Sequence, residues 1–379
     1  MIIGKFKDEV ITSEMLKIKY KNIDLRLDNF VKSSIMTTIA GYKKIQNFLI
    51  NSVSINPKDY FQKFLSYVLN NRKYAPIEYK LNIEYNGKNE KSQVKNNHFD
   101  CVILFSGGFD STSLLFHALD KGLNPLLLWV GFGQKNQKEE LNIVKKVSKK
   151  LEREFSIITL DLSKYIQEGW KDWDFIIPCR NFMFASFAAS ILSNSSYKKS
   201  YIYTGVHEEE YLNKNTDKSP RYFRSCNKLF KDNYNKDIII DTPFKKTSKT
   251  ELAAHWKNVW FKKYNIKPFS TISCYYGSNC GKCNACLKRS MSLVASGWGL
   301  DPDIKIHPFS SKSDIINEYI IKRVLHFPKK RRDETLLAIK KEFPKVSPEV
   351  KKFFTSLPTE IKNEVFAYEF KLNNLKLSL

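Results

Sequence analysis

The chain has 379 residues, of which 42% are hydrophobic and 14% aromatic, and its formal net charge at pH 7 is +24. This length and hydrophobic content predict a folded protein of two or three domains and exclude a disordered low-complexity chain. The positive charge comes mostly from lysines spread along the whole chain, so nucleic acid is an open but not favoured partner. We find no secretory signal and no apolar run long enough to cross a bilayer, so we expect a cytoplasmic protein without membrane contact.

Residues 1–97 form the first predicted domain, a small α+β accessory unit without a catalytic motif. Apolar and polar residues alternate over positions 16–20, 23–27 and 77–85, which predicts half-buried strands. Pro57 begins a predicted helix whose apolar residues share one side. The polar stretch 86–97 is predicted to be the linker to the next domain.

Residues 98–295 form the second predicted domain, in which short apolar strands alternate with amphipathic helices. The predicted strands are 102–105, 126–130, 156–160, 201–204 and 238–240, and the predicted helices are 112–121, 138–151 and 181–193. Apolar strands separated by helices predict an α/β fold with a parallel sheet covered by helices on both faces. A capping box, Ser248-Lys249-Thr250-Glu251, begins a further helix that extends to about Tyr264.

The hexapeptide Ser106-Gly107-Gly108-Phe109-Asp110-Ser111 connects the first of these strands to its helix. Two glycines allow the backbone to approach a ligand closely, and the N–H groups of the first helical turn favour an anion there. Ser106 and Ser111 add hydroxyl donors, whereas Asp110 suits a phosphate site only if it caps the turn or holds a divalent cation. A plain strand-turn-helix connection is the alternative, and we favour a nucleotide site.

Four of the seven cysteines lie within thirteen residues, as Cys274, Cys280, Cys283 and Cys286. Four thiolates at this spacing can surround one tetrahedral zinc ion, which would then be structural because no position is left for water. An iron–sulfur cluster is the chemical alternative, and a disulfide pair is disfavoured in the cytoplasm. Lys288 and Arg289 follow directly and are candidates for anchoring this module.

Residues 296–379 form the third predicted region, a helical C-terminal extension. Prolines separate short amphipathic segments, and one apolar stripe is formed by Ile315, Ile316, Tyr319, Ile320 and Val324. We find no repeats in this region or elsewhere in the chain.

Several short motifs occur in a characteristic order between residue 98 and about residue 292. They are the Ser106–Ser111 hexapeptide, Gly133-Gln134-Lys135, Pro178-Cys179-Arg180-Asn181, Thr204-Gly205-Val206, Thr242-Pro243 with Lys249 and Glu251, and Ser273-Cys274-Tyr275 with the remaining cysteines. The hexapeptide resembles the pyrophosphate loop of the N-type ATP pyrophosphatases. The ordered series resembles the 7-cyano-7-deazaguanine synthases of bacterial queuosine biosynthesis.

This resemblance implies a Rossmann-like fold of the adenine nucleotide alpha hydrolase type, and an AMP- and pyrophosphate-forming C–N ligase that uses ATP, Mg²⁺ and Zn²⁺. The carboxylate of 7-carboxy-7-deazaguanine would attack the α-phosphate, ammonia would displace AMP to give an amide, and a second ATP would activate the amide for dehydration to the nitrile. By motif position, pyrophosphate contacts fall to Ser106, Gly107, Gly108, Asp110 and Ser111. Arg180 and Lys249 become candidate catalytic cations together with Asp110, and Gly205 would let the backbone approach the nucleotide or base.

The chain departs from this family in the segment that recognises the deazapurine. The family carries acidic residues and a Tyr-Pro-Asp-Cys-Arg stretch after Thr-Gly-Val, whereas here Val206 precedes His207 and three glutamates, and Pro220 precedes Arg221. The histidine of the family's Gly-Gln-Arg-His is also replaced, by Asn136. Ordinary synthases lack the front domain and the helical extension, both of which resemble those of enlarged synthase-like proteins from anti-phage defence operons.

Three functions therefore remain open from the sequence. The favoured one is a deazaguanine ligase whose acceptor is ammonia or an amine of a protein partner from the same operon. The second is a tRNA-modifying ATP pyrophosphatase, and the third is a non-catalytic nucleotide-binding subunit of a defence complex. The oligomeric state is not determined by the sequence.

Overall fold

The structure is a computed structural model that describes residues 1–6, 9–23, 27–70, 77–86, 97–134, 136–163, 165, 177–212, 216–276, 279–310, 320–377 and 379. The chain divides into two compact units. The first contains residues 1–106, 117–134 and 144–245, and the second contains residues 107–116, 135–143 and 246–379.

The described part of the first unit contains a six-stranded sheet in the order β10-β9-β6-β7-β8-β3. Its strands are β3 (Lys19–Lys21), β6 (Cys101–Leu104), β7 (Pro125–Gly131), β8 (Phe155–Thr159), β9 (Lys199–Tyr203) and β10 (Asp237–Asp241). All neighbouring strands from β6 to β10 pair in parallel. The α/β fold with a parallel sheet and helices on both faces is thus confirmed, and each predicted strand lies within one or two residues of its predicted position.

Helices connect these parallel strands, as the alternating pattern predicted. They are α3 (Phe109–Asp120), α4 (Gln137–Leu151), α5 (Arg180–Ser193), the short α6 (Glu208–Tyr211) and α7 (Pro220–Tyr234). The chain moves from β6 to β7 and β8 in one direction, and then returns past β6 to β9 and β10. Crossovers between parallel strands are right-handed. Helices that connect strands in one direction along the sheet therefore lie on one face, and helices that connect strands in the other direction lie on the opposite face.

The front segment forms a second sheet that packs into the same core. This sheet has the order β2-β1-β4-β5 and is built from β1 (Ile2–Phe6), β2 (Glu9–Thr12), β4 (Asn47–Ile50) and β5 (Asn82–Tyr85). Two helices accompany it, α1 (Asn29–Lys43) and α2 (Lys58–Asn70).

Helix α1 is buried on all sides because it lies between the front sheet and α5. Every residue from Phe30 to Tyr42 is buried, and Phe30 makes an edge contact with Phe182 of α5 at 6.4 Å between ring centroids. A helix buried all round is a core element. The front segment and the parallel sheet therefore share one hydrophobic core, and a domain boundary at residue 97 stays a sequence prediction.

Two predicted strands of the front segment are shorter than the alternation of residues suggested. Over 77–85 only the last four residues form a strand, because three preceding N–H groups donate to side chains instead of a neighbouring strand. The N–H groups of Tyr79, Lys80 and Leu81 donate to Asn70 Oδ1, Gln46 Oε1 and Ser66 Oγ. Likewise only Lys19–Lys21 forms a strand near residue 20, and it adds an antiparallel edge to β8, so the large sheet is mixed.

The second unit is helical in its described part and contains the C-terminal extension. A continuous helical segment runs through α8 (Lys249–His255), a π-turn (Trp256–Trp260) and α9 (Phe261–Tyr264), as the capping box predicted. It is followed by α10 (Asn284–Ala295), α11 (Lys329–Lys341), α12 (Pro348–Thr355) and α13 (Thr359–Asn373). A separate core of buried side chains from α10, α11 and α13 joins these helices.

Some sequence predictions fall outside the described residues. These are Leu25 of the alternation near the N-terminus, the linker except its two ends, Lys135, and Ile315, Ile316 and Tyr319 of the apolar stripe. Among the helices that the structure describes, none has both the length and the apolar character needed to span a membrane.

Candidate functional site

The carboxyl edge of the parallel sheet gathers several of the predicted site residues of the first unit. Ser106 follows β6, and Gly205 follows β9, the neighbouring strand that pairs Tyr203 with Ile103. The strand order reverses between β6 and β9, because the chain continues from β6 to one side and from β9 to the other. A reversal of this kind opens a crevice at the carboxyl ends of the strands, where ligands of open α/β sheets bind.

Arg180 lies at the same edge because α5 runs antiparallel to the strands. The C-terminal end of α5 meets the beginning of β6, where Asn97 N donates to Asn194 O and Ser195 Oγ donates to Phe99 O. The N-terminal residue of α5, Arg180, is therefore at the opposite end of the sheet.

A second cation, Lys218, interacts electrostatically with Arg180 and follows the three glutamates that the sequence resemblance marked as a departure. Its Nζ donates to Glu210 Oε1 at 2.6 Å, and the pair is only partly exposed. Burial lowers the pKa of Lys218, but the charges of Glu210 and the buried Asp217 outweigh this effect and raise it, while Arg180 opposes them. The sequence singled out the glutamates but not Lys218, because no motif marks it.

In the second unit, Gly107 and Gly108 are buried and begin the turn that leads into α3. Gly107 has φ +70°, and a Cβ atom there would lie 2.9 Å from Ile143 Cγ2 and 3.3 Å from the carbonyl oxygen of Glu140. A side chain is thus excluded by both conformation and space. Ser111 Oγ donates to Gly108 O at 3.1 Å, which closes the first turn of the helix.

Asp110 and Lys249 form an ion pair in the second unit. Lys249 Nζ donates to Asp110 Oδ2 at 2.8 Å, and the side chains are 24% and 30% exposed. This partial exposure leaves both side chains accessible from solvent, while the second carboxylate oxygen of Asp110, Oδ1, is buried. The structure therefore brings two of the three predicted catalytic residues into direct contact.

Aromatic side chains hold the Lys249 helix against α3. Phe109, which directly precedes Asp110, stacks on Trp256 with ring centroids 4.9 Å apart. Phe116 lies two turns later on α3. Its ring centroid is 4.9, 5.5 and 4.5 Å from those of Trp256, Trp260 and Tyr264. The π-turn places both tryptophans on this contact, and π-turns of this kind are frequent near functional sites.

The four clustered cysteines converge on one point. All four Sγ atoms lie within 4.8 Å of one another, and Cys280 Sγ is 4.0 Å from Cys286 Sγ. A tetrahedral zinc ion with bonds of about 2.3 Å needs sulfur atoms about 3.8 Å apart. The pKa of Cys283 is lowered to about 5, mainly by a hydrogen bond from the Cys286 side chain and further by one from the Cys286 backbone N–H group. These thiol groups fit a single metal ion, whereas a cluster of several iron atoms would require them to lie farther apart.

A glycine allows the chain to pass behind the cysteine cluster. Gly281 has φ +74°, and a Cβ atom there would lie 1.8 Å from the carbonyl oxygen of Ile306. The same stretch is held by a backbone hydrogen bond from Lys305 N to Asn279 O at 3.0 Å. Residues 305 and 306, in the segment after α10, thus pack directly against the cysteine loop.

Arg289 anchors the cysteine module, as its position after the last cysteine suggested. It is 4% exposed, and it donates to Thr271 Oγ1 at 2.7 Å, to Pro268 O at 2.8 Å and to Asp301 Oδ2 at 3.1 Å. Burial lowers the pKa of Arg289, and the neighbouring Asp301 counteracts this effect. A buried ion pair with several hydrogen bonds fixes the loops before and after α10.

The cysteine module also connects to the N-terminus of α4. Asn136 Nδ2 donates to the carbonyl oxygen of Cys274 at 3.3 Å and to Glu140 Oε1 at 2.8 Å. Asn136, at the position where the sequence resemblance implied the loss of a histidine, thus has a structural role in this chain.

Comparison with known proteins places these features in one family. The sequence profile described as "Queuosine biosynthesis protein QueC" matches residues 100–297, which is more than half of the chain. The matched segment contains the glycine turn, Arg180, Gly205, Lys249 and the cysteine cluster.

Several curated proteins, each described as a 7-cyano-7-deazaguanine synthase, match this chain over nearly their whole length. The chain is similar to the 7-cyano-7-deazaguanine synthase of Leptospira interrogans, with 28% identity over 239 residues, covering 57% of this chain and 95% of that protein. It is similar to the synthases of Staphylococcus epidermidis and a Marinomonas species, each at 28% identity, covering 53% and 52% of this chain and 95% and 94% of those proteins.

Among solved structures, the chain is similar to one described as a predicted subunit of tRNA methyltransferase from Methanocaldococcus jannaschii. The identity is 19%, the TM-score is 0.29, and the match covers 46% of this chain and 92% of that one.

Proposed function

Because the chain belongs to the QueC family of queuosine biosynthesis proteins, we propose that it is an ATP-dependent ligase that activates the carboxylate of 7-carboxy-7-deazaguanine. The observation that carries this proposal is the contact between Lys249 and Asp110, the second residue after the paired glycines, inside the segment that the family profile matches. A glycine that excludes a Cβ atom, Gly107, followed by a helix N-terminus, suits a pyrophosphate group.

The first step forms an acyl-adenylate. A carboxylate oxygen attacks the α-phosphorus of ATP, the bond to the bridging oxygen of the β-phosphate breaks, and pyrophosphate leaves. The nitrogen of an amine then attacks the acyl carbon and loses a proton, and AMP departs with the former carboxylate oxygen. For a nitrile product, the amine is ammonia: the amide oxygen attacks the α-phosphorus of a second ATP and expels pyrophosphate, and loss of AMP with the amide oxygen and of both N–H protons leaves the carbon–nitrogen triple bond.

The predicted site residues have separate tasks in this proposal. Ser106, Gly107, Gly108 and Ser111 bind the pyrophosphate portion, and Lys249 stabilises the charge that develops on the phosphate oxygens. Arg180 at the N-terminus of α5 is a further cation for the phosphates or the acyl-adenylate, and Gly205 lets the backbone approach the nucleotide or base. Asp110 would hold Mg²⁺, which would neutralise phosphate charge.

The cysteine cluster would hold a structural Zn²⁺ ion. Four thiolates fill all four tetrahedral positions, which leaves none for a reacting water molecule. The spacing of the sulfur atoms supports zinc over an iron–sulfur cluster.

The acceptor amine is proposed to belong to a protein rather than to ammonia, within an anti-phage defence system. Two observations support this refinement. The front segment and the C-terminal extension lie outside the matched residues 100–297. The segment that recognises the base in the family is also altered, and Arg221 in it stacks on Tyr67 of the front helix α2, with its guanidinium carbon 4.3 Å from the ring centroid.

Product analysis tests both levels of the proposal. The purified chain is incubated with Mg²⁺, ATP and 7-carboxy-7-deazaguanine, first with ammonia and then with proteins encoded beside it, and products are identified by mass. We expect AMP and pyrophosphate, and a deazapurine-sized mass increase on a partner protein. Formation of the free nitrile with ammonia alone would contradict the protein acceptor but support the ligase, and the absence of AMP with every acceptor would contradict both.

A further inference from the structure

The C-terminal extension holds the end of the helix that carries Lys249. Ser248 caps α8, with Glu251 N donating to Ser248 Oγ at 3.1 Å and Ser248 N donating to Glu251 Oε2 at 3.0 Å. Both residues are about 5% exposed. This capping box sets where α8 begins and how its first residue, Lys249, is oriented.

A carboxylate from α11 binds the capping serine. Ser248 Oγ donates to Glu334 Oε1, and Tyr368 OH of α13 donates to the same oxygen at 2.9 Å. Glu334 and Tyr368 are 9% and 8% exposed. Burial and the charge of Glu334 raise the pKa of Tyr368, so the phenol keeps its proton and remains a donor.

Two lysines of the extension neutralise the charge of Glu251, the other residue of the capping box. Glu251 lies 2.5 Å from Lys330 Nζ of α11 and 3.4 Å from Lys371 Nζ of α13, and its side chain is 6% exposed. A buried carboxylate without such partners would be strongly destabilising. The extension therefore supplies the charges that allow this capping box to be buried.

The extension also holds the same helical segment at the end of α8 and in the π-turn that follows it. Asn258 Nδ2 donates to the carbonyl oxygens of Leu372, Asn373 and Leu375 at 3.5, 3.3 and 3.0 Å. His255 Nδ1 accepts from Leu377 N at 3.0 Å. Contacts before and after α8 leave this helix little freedom to shift along its axis.

From these contacts we propose that Glu334 and Tyr368 are positioning residues for Lys249, so that the C-terminal extension sets the geometry of the Lys249–Asp110 pair. The catalytic part of this inference rests on the proposed function. The family match ends at residue 297, and every residue of the extension that makes these contacts lies beyond it. The positioning role is therefore an addition of this chain to the matched segment.

Steady-state kinetics tests the proposal, with Glu334→Ala and Tyr368→Phe as test variants. We expect kcat for AMP formation to fall about tenfold or more in Glu334→Ala, because a small displacement of a catalytic group is costly. KM for ATP should change by less than about twofold. Glu334→Gln, which keeps an acceptor oxygen for Ser248, should restore most of kcat.

The matched control is Glu369→Ala. Glu369 also joins α11 and α13, through Lys340 at 2.7 Å and Lys341 at 3.2 Å, but none of these three residues contacts the capping box. An equal loss of kcat in Glu369→Ala and Glu334→Ala would show a general packing effect and overturn the proposal. A wild-type kcat in Glu334→Ala would overturn it as well.

Hydrogen exchange separates failure of this inference from failure of the proposed function. In Glu334→Ala the amides of residues 251–255 should exchange faster than in wild type, whereas in Glu369→Ala they should not. If the wild-type chain forms no AMP, the proposed function fails, and the exchange result alone decides whether the extension positions the Lys249 helix. Equal exchange of these amides in all three proteins would overturn the inference.

Discussion

Lys249 Nζ lies 2.8 Å from Asp110 Oδ2, although the two residues are 139 positions apart in the chain. Asp110 stands in the first turn of α3, and Lys249 is the first residue of α8. The contact places a cation beside the glycine turn and a carboxylate beside the cation. A charge pair of this kind can bind phosphate and a divalent ion together.

Lys249→Met should therefore abolish most of the ligase activity while the fold is retained. Loss of one preorganised charge at the reacting phosphate costs about 10²-fold or more in kcat. The measurement is AMP formation at saturating ATP. Lys228→Met is the control, because Lys228 pairs with Asp232 on the exposed face of α7 and such surface pairs contribute little. Equal activity of the Lys249→Met and Lys228→Met variants would contradict the role of Lys249.

Gly107→Ala should damage both stability and activity, and Gly122→Ala provides a matched control. Both glycines have φ +70°, but a Cβ atom at Gly107 would meet Ile143, whereas nothing lies within 4 Å at Gly122. The left-handed conformation costs about 1 kcal/mol for alanine in both variants, and the clash adds about 1–3 kcal/mol at Gly107 only. Urea unfolding measures this difference. Equal destabilisation of the two variants would show that the space around Gly107 is not restricted.

Removal of one cysteine thiol should release the metal. Cys283→Ser is expected to lower bound zinc from one ion per chain to nearly none and to lower Tm, because structural zinc contributes directly to folding free energy. Cys101→Ala, at a cysteine buried in β6 and absent from the cluster, should retain the zinc. Elemental analysis after dialysis checks both variants. Equal zinc content in them, or iron in place of zinc, would contradict the zinc assignment.

The contact between Asp161 and the front segment should make stability depend on pH. Hydrogen bonds from Ser163 and from Lys17, whose Nζ is 3.0 Å away, lower the pKa of Asp161 from 3.8 to about 2. Because the folded-state pKa lies below the unfolded value, this stabilisation is present above about pH 4 and is lost as pH falls towards 2.

Asp161→Asn should thus reduce the free energy of unfolding at pH 6 and have much less effect near pH 2. Lys17→Met should have a smaller effect over the same pH range, since the hydrogen bonds from Ser163 remain. Urea unfolding at both pH values measures these differences. An effect of Asp161→Asn that does not change with pH would contradict this account.

Local sequence signals predicted much of the fold and part of the site. The capping box at Ser248 and the cysteine spacing depend on residues a few positions apart, so the sequence alone was sufficient for both. The parallel strands were predicted because they are nearly continuous apolar runs bounded by turns.

Features that depend on distant partners were not predictable in this way. Strand β3 consists of three exposed residues, Lys19–Lys21, and its existence depends on the free edge of β8. The contact between Glu334 and Ser248 joins residues 86 positions apart, and no pattern in an amphipathic helix distinguishes this glutamate from others. Lys218 beside Arg180 was missed for the same reason.

The most direct test of the proposed activity follows the oxygen of the substrate carboxylate. The chain is given 7-carboxy-7-deazaguanine labelled with ¹⁸O in both carboxylate oxygens, Mg²⁺, ATP and an amine acceptor, and the AMP is analysed by mass. Attack of the carboxylate on the α-phosphorus predicts one ¹⁸O atom in each AMP, and Asp110→Asn should nearly abolish its formation. Unlabelled AMP, or ADP as the nucleotide product, would contradict acyl-adenylate formation.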